Sequence, residues 1–102
     1  MIITTIEDIG KKYEALGLVR GAMIQSKHIG KDMMAGFKTL VGGELKGYTE
    51  MMEESREQAI QRMIQQAEVL GADAIVGVRL SSSAVAQGAA EVTAYGTAVK
   101  LI

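Results

Sequence analysis

Apolar residues recur along this chain in two rhythms, alternation and a helical three-to-four spacing. The switches between them outline the elements. Residues 2–5, Ile2-Ile3-Thr4-Thr5, are a short β-branched run suited to a strand. Residues 7–14 are polar, contain Gly10 and two lysines, and read as a connection. A second strand is predicted over residues 16–27, with Leu16, Leu18, Arg20, Ala22 and Ile24 on one face and Val19, Gly21 and Met23 on the other. Over residues 29–41, Ile29, Met33, Phe37 and Leu40 keep helical spacing until Gly42-Gly43. Residues 48–70 give the strongest helical pattern, its stripe running through Met52, Ala59, Ile60, Met63, Ile64, Ala67 and Leu70. Glu50, Glu53 and Glu54 lie in its first turns, where carboxylates favour the helix dipole, and Thr49 is the candidate cap. Gly71 suits the left-handed position just past the helix end. A strand of small and branched residues follows over 72–81, then a polar bend over 82–88 and a closing strand over 89–102.

This order predicts one α+β domain over residues 1–102, an antiparallel sheet with two helices on one face in the sequence β-β-α-α-β-β. The closing strand adds a clue to assembly. Residues 92–99 carry no charge, so both faces of that strand are expected to be covered. One layer of helices covers one face, and a partner subunit is the expected cover for the other.

Composition narrows the function classes. The chain has 102 residues, 48% of them apolar, with one Phe, three Tyr and no Trp, so its core is built from aliphatic residues and Met. A domain this small gains much from association. A net charge of -1 argues against a protein whose main work is neutralising phosphates, and no nucleic-acid partner is expected. With no cysteine there is no disulfide, thiolate zinc site or cysteine nucleophile. The first residues lack a basic head and long apolar run, and no apolar stretch approaches the about 18 residues needed to span a bilayer. A cytoplasmic protein with no membrane association is the expectation.

Val41-Gly42-Gly43, then Tyr48, the long helix, Gly71-Ala72-Asp73-Ala74-Ile75-Val76-Gly77-Val78 and the closing Gly96-Thr97-Ala98-Val99 resemble the YbjQ-like family. These are small bacterial and archaeal proteins catalogued as candidate heavy-metal binders of unknown function. The resemblance runs from Ile2 to Val99 and rests on the order and spacing of the segments together. It implies an α+β subunit assembling as a ring, a homopentamer, with strands pairing across subunits. Departures are local. Val19-Arg20-Gly21-Ala22-Met23 stands where the family has Val-Arg-Gly-Glu-Ala, so a carboxylate is missing at Ala22. Glu44-Leu45 replaces Arg-Ser, and His28 and Lys31 replace Asn and Arg.

Few residues stand out for chemistry. His28 and Asp32, four apart at the start of the first predicted helix, offer one imidazole and one carboxylate to a divalent metal ion. Two ligands are too few for a tight site unless a ring brings further ones together, and Asp32 also simply suits a helix start. Glu50, Glu53, Glu54 and Glu57 read as a solvated helix face, and Met33, Met52 and Met63 as core. Gly42-Gly43 lacks the pattern of a phosphate-binding loop, and Ser81-Ser82-Ser83 that of a nucleophile elbow. The leading reading is a non-catalytic homo-oligomeric binding or structural protein that is not an enzyme, its ligand unassigned. A heavy-metal-binding protein using oxygen and imidazole ligands at subunit interfaces, His28 and Asp32 among them, is the alternative.

Overall fold

A computed structural model describes residues 1–26, 46–86 and 89–102. Its elements, in chain order, are β1 (Ile2–Ile3), β2 (Tyr13–Ser26), α1 (Lys46–Val69), β3 (Ala74–Ala86) and β4 (Ala89–Leu101). The helix predicted over 29–41, the Gly42-Gly43 turn, and with them His28 and Asp32, lie outside the described residues.

α1 forms where the helical spacing is most sustained, and its buried line is narrow. Ser55, Ala59, Met63 and Ala67, each four residues from the last, are all but fully buried. Three of these four side chains are small, so the helix axis lies close to the sheet. Opposite them stands Gly21, where a Cβ would fall on Ala59 O and Met63 N. The helix stops as its sequence predicts. Gly71 adopts a φ of 76°, its N–H donates to Glu68 O at 2.9 Å, and the Ala72 N–H donates to Ala67 O at 3.1 Å. This paired 5→2 and 6→1 bonding is the Schellman termination, which satisfies carbonyls the helix leaves open. β3 starts three residues after Gly71, at Ala74.

The sheet has the strand order β1-β3-β4-β2. β4 is central, antiparallel to β3 on one side and to β2 on the other. Val19, Ile75, Val92, Ala94 and Ala98 turn to α1 and close the main core with Met63. Neighbouring positions point the other way, as the period of two requires. Ala74, Val76 and Val99 form a second, smaller core beneath Ile9 and Tyr13.

The sheet is mixed, where an antiparallel one was expected. β1 pairs parallel with β3, Ile2 opposite Ala74 and Ile3 opposite Ile75. β2 lies against the far side of β4, so β1 and β2 are separated by two strands yet run in the same direction. The residues between them must cross a face of the sheet, and they cross the face away from α1. That crossing explains how Ile9 comes to cover Val76 and Val99. It is fastened by the Tyr13 hydroxyl, which donates to Glu7 O at 2.8 Å, and by the Ile102 N–H, which donates to Lys12 O at 3.1 Å.

Two boundaries also moved. β2 begins at Tyr13, inside the predicted connection, and β3 continues through the predicted bend as far as Ala86. Ser81, Ser82 and Ser83 stand opposite Thr93, Val92 and Glu91. Ladder pairing there overrides the turn preference of a serine run. The uncharged stretch of β4 is now explained in part within one chain, by a central strand with α1 on one face and the crossing segment over one end of the other.

Candidate functional site

The face away from α1 is closed at one end and open along the rest. Cross-strand partners share a face, so the register orders its side chains in rows. Leu18 stands opposite Thr97, Arg20 opposite Tyr95, Ala22 opposite Thr93 and Ile24 opposite Glu91. β3 extends these rows with Arg79 beside Tyr95, Ser81 beside Thr93 and Ser83 beside Glu91. Leu18 is 68% exposed, Ile24 60% and Tyr95 40%. Large apolar side chains thus project from an open sheet among hydroxyls and two arginines. The Arg79 guanidinium is turned aside, its Nη1 donating to Thr5 O at 3.0 Å and Val78 O at 2.8 Å.

Two recesses flank the fold. One, of about 300 Å³, lies where β2 ends and α1 begins, lined by Gln25, Ser26, Gly47, Glu50, Met51 and Glu54. Beneath it Ser55 Oγ sits 2.6 Å from Gln25 Oε1 and 2.8 Å from Met51 O, tying helix to strand. The other, of about 460 Å³, is bounded by Glu7, Asp8, Lys11, Lys12, Tyr13 and Ile102. Its wall is an Asx turn in which the Gly10 N–H donates to Asp8 Oδ1 at 2.9 Å.

The described residues do not assemble a heavy-metal centre. Among them no three His, Cys, Asp or Glu side chains stand close enough together to hold an ion. Glu57 accepts from Gln61 Nε2 at 3.1 Å, one turn on along the helix. Met63 is buried in the core, and Met52 packs against that core. No described helix is long and apolar enough to cross a membrane.

Sequence reasoning missed the residues that bind α1 to the outer edge of β2. The Arg20 N–H donates to Gln66 Oε1 at 2.7 Å, and Arg62 Nη1 donates to Ala22 O at 2.6 Å. Nothing in the helical pattern separates Arg62 and Gln66 from the other polar residues of α1. Gly21 was the available signal, as a strand glycine marking a close neighbour.

A four-stranded mixed sheet with a helix packed on one face is the fold of a Pediococcus pentosaceus protein of unknown function, a solved member of the DUF74 family. The two agree with a TM-score of 0.76 over 100% of this chain and 98% of that one, at 20% identity. The family is shown by the sequence itself. The chain belongs to the YbjQ family, whose model, described as "putative heavy-metal-binding", matches residues 1–102. A UPF0145 protein of Thermosipho africanus is 62% identical over 99% of this chain and 95% of its own length. One from Photobacterium profundum is 56% identical over 99% of both chains, and one from Clostridium novyi 55% over 100% of both. None of these names carries a catalytic activity.

Proposed function

We propose that this protein is a non-catalytic homo-oligomeric binding or structural subunit, five copies closing into a ring through the open sheet face. The observation that supports this is the set of Leu18, Ile24 and Tyr95, exposed on the sheet face away from α1, while α1 packs on the other face over β2 and β4. Large apolar side chains exposed along one open face of a sheet are the mark of a docking surface. A surface that meets a different surface of the next copy closes into a ring when the rotation per subunit permits. Light scattering at micromolar concentration tests the reading. A mass several times that of the 10.9 kDa chain is expected, and the mass of one chain overturns it.

The second reading is binding of a divalent heavy-metal ion through oxygen and imidazole ligands at subunit interfaces, with His28 and Asp32 as this chain's candidates. The family description favours it. The described residues contribute no three-ligand cluster, so such a site would draw on more than one copy. Elemental analysis after exhaustive dialysis decides between the two readings. Metal retained in stoichiometric amount places this reading first, and its persistence in His28→Ala removes His28 from the site.

A further inference from the structure

The two outer edges of the sheet are finished differently. β2 is an outer strand of 14 residues, without proline and charged only at Glu14 and Arg20. A long edge of this kind is a template for another strand. Midway along it, two of the outward backbone groups are already taken. The Arg20 N–H is held by Gln66 Oε1 at 2.7 Å, and the Ala22 carbonyl by Arg62 Nη1 at 2.6 Å. Both side chains come from one flank of α1, a single turn apart, and reach past the strand to its outer side.

Their reach depends on how close the helix lies. A Cβ at Gly21, between the two capped positions, would fall on the α1 backbone and come within 2.8 Å of the Arg62 Cβ. Any larger residue there would lift the helix and carry Arg62 and Gln66 off the edge. The outer edge of β3 is covered over part of its length. β1 and the residues after it bond its backbone as far as Val78, and between residues 80 and 86 no described residue caps the strand.

We propose that Arg62 and Gln66 are an edge guard. By occupying the Arg20 N–H and the Ala22 carbonyl they stop β2 from adding a strand of a second copy, which keeps self-association finite and directs it to the open face and the β3 edge. Where association is directed rests on the oligomer reading above; the guard itself is read from a change relative to the unaltered protein, whatever that protein's mass.

The test is sedimentation velocity of Arg62→Ala/Gln66→Ala over a range of concentrations, with far-UV circular dichroism to follow α1. The guard predicts species at least double the unaltered mass, growing with concentration, while helicity is kept. Adding Arg20→Pro removes the outward N–H from an edge position that tolerates proline, and should return the mass to its starting value. Glu57→Ala/Gln61→Ala, which removes a pair on the same helix away from β2, should leave the mass unchanged. An unchanged or smaller mass in the folded double variant overturns the guard, as does a gain that Arg20→Pro does not reverse. If the double variant loses helicity, Gln66→Ala alone is read in its place. Added mass with the Arg20 amide still protected, now by the added strand, supports the guard, and faster exchange at that amide without added mass overturns it. A mass of one chain for the unaltered protein would overturn only the oligomer reading.

Discussion

The two faces of this sheet are closed by different means. Under α1, a narrow line of Ser55, Ala59, Met63 and Ala67 meets Val19, Gly21, Ala94 and Ala98, and nearly every side chain there is out of solvent. On the other face, Ile9 of the crossing segment and Tyr13 shield Ala74, Val76 and Val99, while Ile6 of the same segment stays exposed, and the cover stops short of the next rows. A regular helix covers a long strip because every turn returns a residue to the same line. A segment that merely crosses from β1 to β2 covers a patch about as wide as its own side chains. The fold therefore covers β2 and β4 on the α1 face and only one end of the other face, and the uncovered part of that other face holds Leu18, Ile24 and Tyr95.

Substitutions in the two faces should have opposite signatures. Met63→Ala empties the largest fully buried side chain and should lower stability by about 2–5 kcal/mol. A urea midpoint indistinguishable from the unaltered protein would mean that the α1 face is not the main core. Gly21→Ala should follow at about 1–3 kcal/mol, because the added carbon meets helix backbone that cannot swing away. Its signature beyond stability is faster hydrogen exchange at the Arg20 amide, as Gln66 is lifted from it. Leu18→Ser/Ile24→Ser on the open face should change the stability of a single subunit by no more than about 0.5 kcal/mol. The same double change should dissociate the assembly in light scattering; full retention of mass would show that the open face is not the contact. Away from both faces stands the surface pair of Lys100 Nζ and Asp73 Oδ1, 3.5 Å apart and substantially exposed. Lys100→Ala should cost about 0–1 kcal/mol, less in high salt. Asp73→Ala should cost more, because Asp73 Oδ2 also accepts the Leu101 N–H at 2.9 Å.

Legibility followed the range of the interaction. α1 was readable almost to the residue, predicted over 48–70 and found at Lys46–Val69, because its stripe and the Gly71 stop are local signals. From Leu18 onward the two faces of β2 were readable from alternation, with Val19, Gly21 and Met23 turned to the helix and Leu18, Arg20, Ala22 and Ile24 away from it, while an irregularity between Ala15 and Gly17 takes Leu16 out of the pattern. The strand through Ser81-Ser82-Ser83 was not readable. Three serines have the composition of a bend, and what holds them extended is the ladder to β4. The lack of charge over residues 92–99 matches burial on the α1 side, at Val92, Ala94 and Ala98, whereas Tyr95 on the other face is exposed within one chain. The expected pair His28 and Asp32 lies outside the described residues, while Arg62 and Gln66 looked like ordinary solvent-facing residues.

The order of amino acids by itself determined where α1 forms, where it ends, and which side of β2 turns inward. Periodicity and backbone preference act over a few residues, so those decisions are written where they are carried out. Tertiary structure alone decided that β1 runs parallel to β3, that the segment after β1 crosses the sheet, and that Arg62 and Gln66 reach the backbone of β2. Each of these joins residues 40 or more positions apart, as the separation of 46 between Arg20 and Gln66 illustrates. Such contacts depend on how far the helix can sink toward the sheet, a distance set by the meeting of Gly21 with Ala59 and Met63, which no local pattern records.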